Sequence, residues 1–158
     1  MGAGRGLIAT AAAVLAIGLG SPFRPTVVMG HSMMPAMQPG SLHVIDTRYY
    51  HSHPVQRGDV IVFRYQGATC TKRVYALPGD PLLLIQDEDG GPDDVVDKRQ
   101  EAGIRRLARE GHFAGRSLRE LIVPPGYCFV LGDNEAVSWD SREFGCLPFR
   151  AILGRMQF

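Results

Sequence analysis

A mainly β domain of short antiparallel strands, preceded by one short apolar helix, is the fold this sequence predicts. Three observations carry it. At 158 residues the chain suits one compact domain. Its 19 glycines and 11 prolines cut it into runs too short for a helical bundle. The long charge-free run, residues 7–19, lies near the N-terminus, is rich in alanine and is closed by Ser21, Pro22 and Arg24.

That first run is shorter than the about 20 residues a bilayer crossing needs. Three readings fit it: a short membrane anchor, a cleaved signal peptide or a buried helix. The anchor is the reading adopted, over residues 1–24. It leaves Arg5 in the cytoplasm and residues 25–158 beyond the membrane. Thr26-Val27-Val28-Met29 has strand composition, and Gly30 breaks it. His31-Ser32-Met33-Met34-Pro35 follows, with Met37 close behind. A serine in such a turn is ordinarily only a turn residue. Here Pro35 stiffens its exit, and the methionines offer apolar surface for a peptide or a lipid interface.

Leu42 to Asp46 alternates apolar and polar, as a half-buried strand does. Residues 48–54 read as an exposed loop, its His51 and His53 without acidic or cysteine partners in a metal-binding pattern. Val60 to Phe63 and Thr69 to Leu77 form a hairpin turned at Gln66-Gly67. In its second strand Cys70, Lys72 and Val74 share one face. Lys72 therefore lies on a mostly apolar surface, where charge is costly and an amine pKa falls. A neutral amine is what activation of a serine without histidine requires.

Pro81 to Ile85 is a short strand, and Gln86 to Asp94 an acidic surface loop. Asp97 to Glu110 predicts a helix, with Asp97 as N-cap and Gly111 at its C-terminal end. Its row of Lys98, Arg99, Arg105, Arg106 and Arg109 reads as a solvated face, with no aromatics interleaved for nucleic acid. Tyr127 to Leu131 is a core strand ending in the turn Gly132-Asp133-Asn134. Beyond it Asp140 and Arg142 brace a loop by a charge-assisted pair, and Ser138 is a hydroxyl partner for the Lys72 amine.

Seventeen basic residues stand against 16 acidic ones, a net charge of +1 that gives no support to a nucleic-acid partner. No metal or other cofactor is called for. Of the three cysteines, Cys128 and Cys146 are the favoured disulfide pair if the domain lies outside the cytoplasm. Otherwise all three are buried thiols.

Four stretches together resemble bacterial signal peptidase I and its relatives among the Ser–Lys membrane peptidases. They are Gly30 to Pro35, Arg57 to Phe63, Lys72 to Asp80, and Gly132 to Gly145, and they occur in that family's order. The resemblance implies a largely antiparallel β scaffold whose apolar surface lies against the membrane. It implies that Ser32 is the nucleophile, Lys72 the general base and Ser138 the serine that orients the lysine. Asp133, Asp140 and Arg142 match bracing residues, and the Ser32 N–H matches an oxyanion donor. Val28, Met29, Met33, Met34 and Val74 are the expected substrate pocket or membrane surface.

Substrates would be exported preproteins with small residues first and third before the cut. The enzyme would sit single-pass in the inner membrane, in contact with lipid, its catalytic face extracytoplasmic. The chain departs from the family in several ways, among them a single candidate anchor and Ala36 where a threonine is common. Gly30 stands where many relatives carry a hydroxyl, Glu135-Ala136-Val137 follows the Gly-Asp-Asn turn, and the second β region is cut down to about residues 86–121. A maturation peptidase for one exported or pilin-like substrate, or an inactive peptide-binding module, are the alternatives.

Overall fold

The computed structural model describes residues 20–158. The anchor expected over residues 1–24 lies outside them up to residue 19, and its last two residues, Phe23 and Arg24, begin a strand instead. Among the described residues, no helix is long and apolar enough to cross a membrane.

Among the described residues ten strands form two antiparallel sheets, as the mainly β expectation requires. The larger contains β1 (Phe23–Val27), β2 (Leu42–Asp46), β3 (Val60–Tyr65), β4 (Ala68–Ala76), β8 (Tyr127–Leu131), β9 (Leu147–Pro148) and β10 (Ile152–Gln157). Their spatial order is β1-β2-β10-β3-β4-β8-β9. β3 is its centre because Val60, Ile61, Val62 and Phe63 are apolar on both faces and all are buried. Ile61 and Phe63 pack with Val74, Cys128, Val130 and Leu147. Val60 and Val62 pack with Met33, Met37 and Met156. The β3–β4 hairpin turns at Gln66 and Gly67, both with positive φ (47° and 84°), the conformation a two-residue hairpin turn demands.

Besides the short β9 at the far end, two strand edges in this sheet remain open among the described residues. Among the described residues β1 pairs with β2 alone and ends the sheet. β4 pairs with β3 from Ala68 to Arg73, but with β8 only from Arg73 onward. The stretch from Ala68 to Lys72 thus has unpaired backbone on one side. Both open edges line one cavity, so the sheet curls until β1 and the start of β4 face each other.

The smaller sheet, β5 (Pro81–Asp87), β6 (Asp94–Val95) and β7 (Arg116–Ile122), is ordered β6-β5-β7 and carries helix α1 (Glu101–Arg109). Leu82, Leu84 and Val123 seat it on Ala76 and Phe129. Two expectations are corrected here. The acidic segment after Ile85 is not simply a surface loop: β5 runs on to Asp87, and Asp93 is buried. Asp93 accepts from the Gln86 amide at 2.9 Å and pairs with Arg119. Asp97 does not cap the helix, which starts four residues later after Gln100. It instead accepts the Arg99 N–H at 2.8 Å. Gly111 (φ 80°) does end α1, with the His112 N–H bonded back to the Leu107 carbonyl.

Cys70, Cys128 and Cys146 are free thiols, so the expected disulfide is not formed. Cys128 faces the first core cluster, its Sγ toward the Leu147 carbonyl, whereas Cys146 packs against the cluster around Phe129. Burial pushes the Cys128 thiol up to about 12.

Candidate active site

Beyond β1 the chain keeps one more rung of pairing, Val28 N–H to the Ser41 carbonyl and Gly40 N–H to the Val28 carbonyl, and then enters a tight turn. Within it Met34 N–H bonds to the His31 carbonyl and Met37 N–H to the Met33 carbonyl at 2.9 Å. That helical turn sets Met33 and Met37 on one side, four residues apart, and both are buried against Val60, Val62 and Met156. These two methionines are the rivets that hold Ser32, rather than a loose exposed surface.

Lys72 reaches the same place from β4. Its Nζ lies 2.7 Å from Ser32 Oγ and 3.2 Å from the Thr71 carbonyl. The residue is 5% exposed. Burial lowers its pKa, and Cys70, Asp140 and Glu143 only partly oppose that.

The turn after β8 supplies the third wall. Asn134 N–H donates to the Ser32 carbonyl at 2.9 Å, and the Asn134 side chain donates to the His31 carbonyl at 3.2 Å. Gly132 comes so close that a Cβ there would lie 2.5 Å from the Ser32 carbonyl oxygen. Its N–H donates to Asp140 Oδ2 at 2.9 Å. Asp140, fully buried, also accepts from the Arg142 N–H at 3.2 Å and from its Nε at 2.9 Å. Burial pushes the Asp140 carboxyl up, but these bonds outweigh it and hold the carboxyl below its usual range.

Asp140 caps helix α2 (Ser141–Phe144) in a full capping box with Glu143. The Ser138 hydroxyl is buried between Gly132 and Asp140 and makes no hydrogen bond of normal geometry. It is still near enough to help keep Asp140 ionised. Asp133 turns away and binds Arg73 through two parallel bonds of 2.8 and 2.7 Å.

The cavity beside Ser32 and Lys72 is about 340 Å³. Thr26 to Gly30 form one bank and Thr69 to Lys72 the other, with Met33, Val62 and Met156 among the remaining lining. Of the residues expected in a pocket, Val28, Met29 and Met33 line it. Met34 and Val74 do not, and Val74 is buried in the core with Ile61 and Phe63. Sequence reasoning missed Asn134 and the threonines at positions 26, 69 and 71. Nothing local singles these out, since their role comes from which strand edges face each other.

An open antiparallel β scaffold with a serine and a buried amine in contact at its cleft puts this molecule in the class of serine peptidases. Residues 4–158 match the family model described as "Signal peptidase, peptidase S26", and the chain belongs to that family. It is 35% identical to signal peptidase I of Bacillus caldolyticus over 142 residues, covering 86% of this chain and 78% of that one. Its identity to the probable signal peptidase I-1 of Synechocystis sp. is 34%, over 85% of this chain and 69% of the relative. Signal peptidase I U of Bacillus subtilis is 30% identical over 80% of this chain and 68% of its own length. The family is one of serine endopeptidases acting on exported preproteins in a membrane context.

Proposed function

We propose that this chain removes leader peptides from exported preproteins, with Ser32 as nucleophile and Lys72 as its general base. The observation that carries the reading is the 2.7 Å contact between Lys72 Nζ and Ser32 Oγ at a buried lysine of lowered pKa. A neutral Lys72 takes the Ser32 proton as Oγ attacks the scissile carbonyl. The protonated amine then gives that proton to the leaving nitrogen, forming an acyl-enzyme on Ser32. A water deprotonated by Lys72 attacks the ester and frees the leader.

Among the described residues the Ser32 N–H is donated to no other group, which leaves it available to the oxyanion. Asp140 and Arg142 keep the Gly132 turn in place, and through it the Ser32 carbonyl. Ser138 fills the space beside them; contrary to the expectation, its hydroxyl makes no bond to the Lys72 amine and lies instead toward Asp140. Asp133 ties Arg73, and so β4, to the same turn. An inactive peptide-binding module would have no need of the Ser32–Lys72 contact.

The substrate enters as a strand between the open edges of β1 and β4, whose backbones pair with it on both sides. Alternate side chains then point down onto Val28, Met33 and Val62. That floor is shallow and apolar, so it accepts alanine and leaves a lysine or glutamate unpaired. The expected boundary after residue 24 moves back, because Phe23 and Arg24 already pair with β2: residues 1–22 serve as the membrane anchor, and residues 23–158 form the catalytic domain beyond the membrane. On β1 and β2, Phe23, Val27, Leu42 and Val44 share one face and are exposed, with Met29 beside them 86% exposed. This face rests on the lipid, next to the cleft that receives the leader.

The test uses the full chain in detergent. Ser32→Ala should fold normally and cut nothing. Among peptides varied first and third before the scissile bond, alanine should be cut at least tenfold faster than leucine, lysine or glutamate. Turnover by Ser32→Ala, or equal rates across that series, would refute the assignment.

A further inference from the structure

Ser32 lines one cavity, and the turn that carries it walls a second. The first, along Thr26 to Gly30, is the one assigned above to residues before the cut. The second, about 520 Å³, lies among Pro35, Ala36, Tyr75, Gly132, Asp133 and Glu135, sharing no lining residue with the first. Most of its wall is attached to the serine turn. Pro35 and Ala36 continue that turn, Gly132 is in contact range of the Ser32 carbonyl, and Asn134, between Asp133 and Glu135, donates to that carbonyl at 2.9 Å. Tyr75 is shared with a third cavity, about 260 Å³, between β4 and the smaller sheet. A groove therefore starts at the turn that carries Ser32 and runs past Tyr75 toward the small sheet.

A polypeptide laid in the first cavity as a strand, with its scissile carbonyl at Ser32, has to continue on the far side of the serine. This groove is the concave surface that meets it there. Its charges are unevenly compensated. Asp133 is paired with Arg73, Asp80 with Arg57 and Glu101 with Arg105. Among the described residues Glu135 and Asp97 are in no ion pair, although Arg142 lies within reach of the Glu135 charge, and Lys98 is the unpaired cation near Asp97. Tyr75 lies between the two free carboxylates and is 39% exposed. Burial, then Asp97 and Glu135, raise the pKa of its hydroxyl, which places both carboxylates within its field.

We propose that this groove holds the residues immediately after the scissile bond, with Tyr75 packed against them and Glu135 selecting cationic over anionic side chains. The inference rests on the Ser32–Lys72 reading, because that reading fixes where the cut falls. Glu135 follows the residue that binds the Ser32 carbonyl, so its reach covers the first few positions after the cut. An exposed charge at such a distance alters binding modestly, and attraction of lysine adds to repulsion of aspartate. A lysine-to-aspartate preference of roughly three- to tenfold at low salt follows, shrinking as salt approaches ~1 M.

The experiment uses the full chain in detergent and peptides identical up to the cut. Each of the four following residues is set in turn to lysine, alanine or aspartate. At one or two of these positions kcat/KM should rank lysine above alanine above aspartate. Glu135→Gln should flatten that ranking and Glu135→Lys should reverse it. Tyr75→Ala should raise KM for every peptide. Glu135 is exposed and bears no ion pair among the described residues, so these variants keep the fold. An unchanged ranking in Glu135→Lys, with the alanine peptide still cut, would overturn the groove and leave the Ser32–Lys72 reading standing. So would charge discrimination that appears only before the cut. Failure of the wild-type chain to cut the alanine peptide would overturn both.

Discussion

Adding one methyl group at Gly132 places a Cβ 2.5 Å from the Ser32 carbonyl oxygen, where ordinary contact begins at 3.4 Å, so the oxygen must retreat by about 0.9 Å. The Ser138 side chain stands closer still, which closes the other way out. The obstacle is backbone on one side and a buried side chain on the other, so no flexible tip can swing clear. Ser32 is pinned through that same carbonyl to Asn134, and through Met33 and Met37 to the core. The strain therefore falls on the position of Oγ relative to Lys72. Misplacing a reacting group by about 1 Å costs on the order of 10²-fold in rate. Overpacking of this kind costs roughly 1–3 kcal/mol of stability, each kcal/mol being about 2–4 °C in Tm for a chain of this size. The assay is kcat on a quenched fluorescent peptide with alanine first and third before the cut, beside a thermal melt. Gly30→Ala is the control, since a Cβ there meets nothing within 4 Å. Gly132→Ala with wild-type kcat and Tm would refute the reasoning.

Lys72→Arg should be as inactive as Lys72→Ala, because a guanidinium keeps its proton. The wild-type rate should rise with pH through a value below the ordinary lysine 10.5, burial being the cause of the shift. An amine left at its ordinary value would be only about 0.03% neutral at pH 7. Activity rescued by arginine, or a pH profile still climbing near 10, would remove Lys72 as the base. Lys72→Met should raise Tm at neutral pH. With the folded pKa below the unfolded one, protonated Lys72 costs the native state about 1.4 kcal/mol per unit of lowering, in full below the folded value. The cost fades as pH rises toward 10.5, so the advantage of methionine should fade with it, and a pH-independent difference would count against a charge effect. Gly30→Ser should raise kcat by about tenfold over Gly30→Ala, by supplying a second oxyanion donor in open space. Equal rates for the serine and alanine variants would show that the hydroxyl does not reach the oxyanion.

The sequence by itself determined those features whose signal is local. The β3–β4 hairpin follows from an apolar run, a Gln-Gly turn and a two-residue period, and that period alone put Lys72 on the face of Val74. The braced loop was legible for the same reason, since Asp140 and Arg142 stand two residues apart and their bond closes within one helical turn. The tertiary structure decided what depends on chain closure. Met33 and Met37 read as free apolar surface until β3 and β10 supplied Val60, Val62 and Met156 to bury them. Asp93 read as a loop acid because its partner Arg119 is 26 residues away. The cleft itself has no sequence signature. It exists because β8 meets β4 only from Arg73 onward and, among the described residues, β1 has no second neighbour, so two unsatisfied backbone edges are left facing each other across Ser32. Side-chain periodicity reports which face of a strand is buried. It carries no record of which edge is left unpaired, because backbone hydrogen-bonding groups are the same in every residue but proline.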